Sequence, residues 1–217
     1  ECTDELLVNR LSALMPTLTR DTVVVLHTIG SHGPSYYLRY PPEGARFTPT
    51  CDTGEFARCS ADQIVNTYDN TIRYTDKVLS QLIDKLKTLE SQYNVGLVYL
   101  SDHGESLGAM GLYLHGTPYK FAPDDQTRVP LLTWLSPQLQ RDRGLNQDCL
   151  RQEAGSKRFS HDNLFHSMLG LLQVDTQAYD ARLDLFAHCR SQSTEALALT
   201  HGKNDKTRVI QPARHSG

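Results

Sequence analysis

A long helical pattern between two short apolar runs constrains the fold of this chain more than any other feature. The pattern extends from about Ala61 to Gln92, and its apolar residues recur at helical spacing: Ile64, Val65, Tyr68, Ile72, Val78, Leu79, Leu82, Ile83 and Leu86. The runs Thr22–Ile29 and Val95–Ser101 flank it and suit buried strands. A strand, a helix and a second strand imply a right-handed crossover. We therefore predict an α/β fold with a mostly parallel central sheet flanked by helices.

Other segments extend this pattern without changing it. A helix is expected near Asp4 to Leu14 and a third strand near Val129 to Leu135. Another helix is expected from Asp162 to Leu172, with Ser160 as its candidate N-cap. A proline- and threonine-rich loop precedes the long helix.

Polar residues that suit a catalytic site follow two of the predicted strands. In open α/β sheets, ligands bind outside the carboxyl ends of the strands. His27 and His32 lie at the end of the first strand, and Asp102 and His103 follow the second, so we expect them at one edge. His32 lies in a glycine-rich loop that suits a charged substrate group. His27 is either a site residue or a hydrogen-bonded core histidine.

The dipeptide Asp102-His103 offers a carboxylate and an imidazole, which are both common zinc ligands. Gly104 follows and allows the chain to bend. Taken alone, such a pair is also compatible with a surface turn whose side chains meet water. Glu105 could orient His103, ligate a second ion or simply begin a helix. His115 could be a site residue or a packing histidine.

Composition narrows the classes of function. The chain has 217 residues, 39% hydrophobic and 22% charged, with a formal net charge of −3, which is typical of a soluble globular domain. With so little net charge, nucleic-acid binding is not expected. No apolar stretch reaches the roughly 20 residues that span a bilayer. We expect a monomer.

Five cysteines without Cys-x-x-Cys spacing are better interpreted as disulfide partners in an oxidising compartment than as zinc ligands. Cys51 and Cys59 are expected to pair across a short polar loop. Cys149 and Cys189 form a second candidate pair. Cys2 is then left over.

Several motifs resemble one enzyme family. They are SDHGESLG from Ser101, GLYLHGTPY from Gly111, LHTIGSHGPSYY from Leu26, FTPTC from Phe47 and NTYDNT from Asn66. This order resembles the lipid A phosphoethanolamine transferases, including the mobile colistin-resistance enzymes, of the alkaline phosphatase and sulfatase superfamily. The resemblance covers residues 1–190, which we interpret as part of a sulfatase-like catalytic domain, incomplete at its N-terminal side. Residues 191–217 form a polar, basic tail that we expect to be disordered.

The resemblance implies a zinc cofactor held by Asp102 and His103. It assigns His32 and His115 to the phosphoryl group or to a second zinc, and Glu105 and His27 to supporting or second-metal positions. The implied donor is phosphatidylethanolamine and the acceptor is lipid A. The implied location is the periplasmic face of a bacterial inner membrane, reached through an N-terminal membrane domain, and the implied outcome is polymyxin resistance.

The resemblance also places the threonine nucleophile, the first glutamate ligand and the partner of Cys2 ahead of Glu1. We therefore expect the isolated chain to bind zinc weakly and not to turn over. Two alternatives stay open. One is a sulfatase or phosphodiesterase of the same superfamily, and the other is a noncatalytic, truncated remnant.

Overall fold

The computed structural model describes residues 3–191 and divides the chain into two compact units, Glu1–Leu139 and Gln140–Gly217. Cys2 lies outside the described residues, as does the predicted tail beyond Ser191. The helices are α1 (Glu5–Leu14), α2 (Ala61–Lys87), α3 (Asp124–Thr127), α4 (Pro137–Asp142), α5 (Gln147–Ser156) and α6 (Asp162–Leu172). The strands are β1 (Gly96–Leu100), β2 (Ser106–Leu107), β3 (Tyr113–Leu114) and β4 (Leu131–Leu135). No helix among residues 3–191 combines the length and apolar character needed to cross a bilayer.

Helix α2 is the central element of the first unit. A capping box starts it, because the Ser60 hydroxyl accepts from the Gln63 amide while the Gln63 side chain accepts from the Ser60 amide. The apolar face of α2 packs against α1 in a core of Val8, Leu11, Tyr40, Tyr74, Val78 and Leu82. Each such side chain contributes about 1.5–3 kcal/mol when fully buried. The predicted helix is confirmed, although it ends at Lys87 rather than near Gln92.

Near its N-terminus, α2 also fixes the long loop that precedes it. Asn70 is fully buried, and its Oδ1 accepts from the amides of Arg46 and Phe47 at 2.7 and 2.9 Å. Thr67 Oγ1 accepts from the Cys51 amide at 2.7 Å. The disulfide between Cys51 and Cys59 closes the end of this loop, as predicted. These bonds give a segment with little secondary structure a defined path next to the site.

The strands depart from the predicted parallel arrangement. β1 and β4 form a two-stranded antiparallel ladder, in which Gly96 lies opposite Leu135 and Leu100 opposite Leu131. The chain leaves and re-enters at the same end of this pair, where the Ser101 amide donates to the Pro130 carbonyl at 3.3 Å. The intervening residues form the short β2–β3 hairpin and α3 instead of the crossover that parallel strands require.

The predicted strand Thr22–Ile29 forms no ladder with any part of the chain that the structure describes. Val23, Val24 and Val25 are all exposed, Val25 by 86%. An apolar, β-branched sequence favours an extended, half-buried backbone, but a strand also needs a neighbour to accept its hydrogen bonds. The prediction of a buried strand here is therefore wrong for the described residues.

The second unit is small and helical. The disulfide between Cys149 and Cys189 joins α5 to the short 3-10 turn Ala187–Cys189. This bond confirms the second predicted pair. Asp184 is buried and accepts from Tyr179 Oη at 2.7 Å and from Arg190 Nη1 at 2.9 Å. α6 begins at Asp162 as predicted, with His161 as its N-cap residue and Ser160 Oγ accepting from the Asp162 amide.

Candidate metal and active site

Three histidines from distant parts of the first unit converge at one point. His32 follows a turn after the Thr22–Ile29 segment, His103 follows β1 and His115 follows β3. Their ligand atoms all lie within 4.8 Å of one another. The ring centroids of His103 and His115 are 4.0 Å apart, and those of His32 and His115 are 4.8 Å apart. The fold therefore gathers three of the predicted site residues into one cluster.

Hydrogen bonds define which nitrogen of each ring is free. Nδ1 of His32 lies 2.7 Å from the Gly33 carbonyl, and Nδ1 of His103 lies 3.0 Å from the Gly104 carbonyl. Nδ1 of His115 lies 3.1 Å from Glu105 Oε1. Because carbonyl and carboxylate oxygens only accept, each Nδ1 carries a proton, and in its neutral form each ring leaves the Nε2 lone pair available to a ligand.

Glu105 joins the segment that carries His32 to the segment that carries His115. Its side chain is only 3% exposed. Besides binding His115, it accepts from the Gly33 amide at 3.1 Å and from Tyr36 Oη at 3.0 Å. Burial, and next the negative charge of Glu105, raise the pKa of Tyr36 far above its ordinary value, so this hydroxyl stays a donor. Glu105 thus orients His115 and fixes the backbone after His32.

The glycines after His32 and His103 are required by close packing. A Cβ at Gly33 would strike Leu114 Cδ2 and would lie 2.9 Å from Tyr36 Oη. A Cβ at Gly104 would strike the Asp125 carbonyl oxygen. The sequence suggested that Gly104 permits a bend, but the φ angle of Gly104 is not positive. Its role is to let the His103 segment approach the segment before β4.

Of the remaining predicted site residues, Asp102 lies beside His103 and His27 lies outside the cluster. The Asp102 side chain is 81% exposed, and its Oδ2 lies 3.9 Å from His103 Nε2. Asp102 is thus within reach of an ion that binds His103. His27 is exposed and does not belong to the three-histidine group.

Two residues that the sequence did not single out fix the cluster from outside. Asp4 accepts from the amides of Ile29 and Gly30 at 3.0 and 2.8 Å, which holds the turn before His32. Gln126 accepts from the Gly104 amide through its carbonyl at 2.9 Å and from the Thr117 amide through Oε1 at 3.2 Å. An aspartate at the start of a helix and a lone glutamine carry no functional signal in a sequence.

The donor set fits zinc. Zinc takes neutral imidazole nitrogens and carboxylate oxygens at about 2.0–2.2 Å, which places the ligand atoms of a tetrahedral site about 3.4 Å apart. The cluster spans up to 4.8 Å, so it is somewhat wider than a closed site. Ligating histidines usually donate their other N–H to a carbonyl or carboxylate, and all three rings here do so.

Comparison with known proteins gives a consistent family assignment. The sequence pattern of the sulfatase family matches residues 1–174. The chain is 50% identical to the phosphoethanolamine transferase EptA of Escherichia coli K12 over 193 residues, or 89% of this chain and 35% of that protein. It is 44% identical to the phosphatidylethanolamine transferase Mcr-1 of Escherichia coli over 119 residues, or 55% of this chain and 22% of that protein.

Solved structures agree. The lipooligosaccharide phosphoethanolamine transferase A of Neisseria meningitidis is known as a soluble domain and as an integral membrane protein, each 42% identical to this chain with a TM-score of 0.84. The match covers 88% of this chain in both cases, 57% of the soluble domain and 35% of the membrane protein. These matches confirm the predicted α/β class. The chain spans about a third of the length of its first curated relatives.

Proposed function

Because the chain belongs to the sulfatase family, we propose that it supplies the histidine-bearing part of a zinc-dependent active site that transfers phosphoethanolamine from phosphatidylethanolamine to lipid A. The main support is the convergence of three imidazoles, each with Nδ1 engaged and Nε2 free. The relatives support the same reaction, since several are named phosphoethanolamine transferases and two of these are named for Kdo(2)-lipid A.

In this proposal each residue has a role that follows from its position. Asp102 and His103 would hold a zinc ion, which when bound neutralises charge on phosphate oxygens and lowers the pKa of a coordinated hydroxyl. His32 and His115 would contact the phosphoryl group or hold a second ion. Glu105 keeps the proton of His115 on Nδ1, so that Nε2 faces the reacting group. A neutral imidazole in that position can also accept a proton.

The proposal extends to location and outcome. A transfer between two membrane lipids requires the site to work at the membrane, and one relative is an integral membrane protein. We place the active protein at the periplasmic face of a bacterial inner membrane. The two disulfides fit an oxidising compartment. Addition of phosphoethanolamine to lipid A introduces an amine, which lowers its net negative charge and would give polymyxin resistance.

Zinc binding is tested directly by calorimetric titration of the metal-free 217-residue chain. We expect His103→Ala to weaken zinc affinity by at least about tenfold, because it removes one of the two proposed ligands. The matched control is His188→Ala, which removes an exposed histidine with a side chain 72% accessible and should leave affinity unchanged. Equal affinities for wild type and His103→Ala would contradict the metal site.

The reaction is tested in a chimera. Residues of this chain replace the 193-residue matching region of the Escherichia coli EptA protein, and lipid A from cells that express the chimera is analysed by mass spectrometry. We expect phosphoethanolamine-modified lipid A, and its loss with His115→Ala but not with His188→Ala. A folded chimera that leaves lipid A unmodified would refute the transferase proposal. Cleavage of an aryl sulfate by the same chimera would favour a sulfatase instead.

A further inference from the structure

A loop beside the histidine cluster exposes two aromatic side chains that the proposed chemistry does not use. This loop starts at residue 117, two residues after His115, and continues into α3, where Gln126 is buried. Tyr119 is 87% exposed and Phe121 is 70% exposed. Large apolar side chains exposed singly are ordinary, but adjacent ones that are this open to water mark an interaction surface.

The base of this loop is fixed to the site. Gln126 Oε1 accepts from the Thr117 amide at 3.2 Å, and Gln126 Nε2 donates to Ser106 Oγ at 3.1 Å. The Gln126 carbonyl accepts from the amide of Gly104, the residue after His103. One buried glutamine therefore joins both ends of the loop to the segments that carry His103 and His115.

The tip of the loop has its own internal support. The Pro118 carbonyl accepts from the amides of Phe121 and Ala122 at 2.7 and 3.0 Å, which closes a turn around Tyr119 and Lys120. The Lys120 Nζ lies 5.8 Å from the Phe121 ring centroid. The turn thus presents two rings and an ammonium group together, and its exposure does not result from a lack of local structure.

The chemistry of this tip is that of the interface between water and lipid. Aromatic rings with a polar edge concentrate at the headgroup level of bilayers, and lysine places its methylene stem against apolar surface and its charge among phosphates. A lysine near an anionic membrane contributes about fivefold to binding. Close to the tip, Arg128 Nη1 pairs with Asp124 Oδ2 at 3.1 Å, which offsets one acidic charge there.

We propose that the turn Tyr119–Lys120–Phe121 inserts into the headgroup region of an anionic lipid bilayer and brings the histidine cluster to its lipid substrates. The inference rests on the proposed transfer between two lipids, because that reaction requires the surface beside the cluster to meet the membrane. It goes further by assigning the contact to one turn, separate from the residues that hold zinc or phosphate.

The experiment measures sedimentation of the 217-residue chain with vesicles of phosphatidylethanolamine and phosphatidylglycerol. The double variant Tyr119→Ser/Phe121→Ser should lower the partition coefficient by about tenfold, since it removes both rings from the apolar phase. Lys120→Ala should lower it by about fivefold at low salt and by much less at high salt. These side chains are exposed, so the variants should fold normally, which circular dichroism checks.

Two matched variants control for the loss of rings in general. The exchange Tyr119→Phe/Phe121→Tyr keeps two rings in the turn and should retain binding within about twofold. Phe165→Ser removes a ring that is 55% exposed on α6 and should leave binding unchanged. A second readout is tryptophan fluorescence. The emission of Tyr119→Trp should shift to shorter wavelengths when vesicles are added, whereas the wild type, which has only Trp134, should show no such shift.

Three results of the vesicle measurements would overturn the inference. They are a wild-type chain that does not sediment with vesicles, a double serine variant that binds as well as wild type, and an equal loss in Phe165→Ser. Loss of a protein partner by the double variant with vesicle binding unchanged would overturn it too. Vesicle binding does not need turnover, so an inactive chimera with loop-dependent binding refutes only the transferase proposal. An active chimera without loop-dependent binding refutes only the membrane contact.

Discussion

Substitution of Glu105 gives the sharpest test of how this site is built. Its carboxylate accepts three hydrogen bonds, from the Gly33 amide, Tyr36 Oη and His115 Nδ1, and is almost fully buried. Glu105→Ala leaves the amide of Gly33 and the hydroxyl of Tyr36 buried without an acceptor. An unsatisfied buried group costs about 1–3 kcal/mol, so the two together should lower the free energy of unfolding by roughly 2–6 kcal/mol.

Glu105→Gln is the matched control. The amide oxygen of glutamine can still accept from Gly33 and His115, and its NH₂ group can donate to the Tyr36 hydroxyl, which then acts as the acceptor. Glu105→Gln removes the negative charge that strengthens these hydrogen bonds, which should lower the free energy of unfolding by about 1 kcal/mol. The two variants should therefore differ by at least about 1 kcal/mol, with alanine the less stable.

The measurement is urea unfolding of both variants and the wild type with zinc chelated, followed by zinc titration of each folded protein. We expect Glu105→Gln to weaken binding of the second zinc, which His32 and His115 would hold, by about tenfold, because a neutral partner orients His115 less firmly. Equal unfolding free energies for the alanine and glutamine variants would refute the reasoning from unsatisfied donors. Unchanged zinc affinity in both would show that Glu105 does not act through His115.

Two further predictions concern the residues around this network. Between pH 10 and 11, Tyr36→Phe should reduce the loss of stability by about 1 kcal/mol, because the unfolded tyrosine ionises near pH 10 while burial raises the pKa of the folded one and keeps it protonated. Urea unfolding at pH 10 and 11 checks this, and parallel slopes in variant and wild type would contradict it. Gly104→Ala should destabilise the first unit by roughly 1–3 kcal/mol and weaken zinc binding, because its Cβ would collide with the Asp125 carbonyl. Thermal unfolding and zinc titration measure both effects against Gly155→Ala, where a Cβ meets open space, and equal losses in the two variants would count against a steric cause.

Sequence patterns were most informative where the interacting residues are close in the chain. The start of α2 follows from Ser60 and Gln63, which cap each other three residues apart. The pair Cys51 and Cys59 closes a short loop and was found from spacing. His32, His103 and His115 were singled out by motif, and the structure places them together.

The direction and completeness of the sheet did not follow from such patterns. The apolar run that forms β4 predicted a strand but not its antiparallel pairing with β1, and the run Thr22–Ile29 predicted a strand that has no ladder among the described residues. An apolar run specifies that a segment prefers burial. It does not specify which backbone will accept its hydrogen bonds, because that depends on where the rest of the chain returns.

The sequence by itself determined α1, α2, α6 and the short Cys51–Cys59 disulfide, since caps, periodicity and short spacings are local physical effects. The family motifs singled out the histidines. Only the tertiary structure decided how those histidines are used. Glu105 meets Gly33 across 72 residues, and Gln126 meets Gly104 across the turn that bears Tyr119 and Phe121. These contacts fix the free nitrogen of His115 and the position of the exposed rings, and they exist only because packing brings together residues that are far apart in the chain.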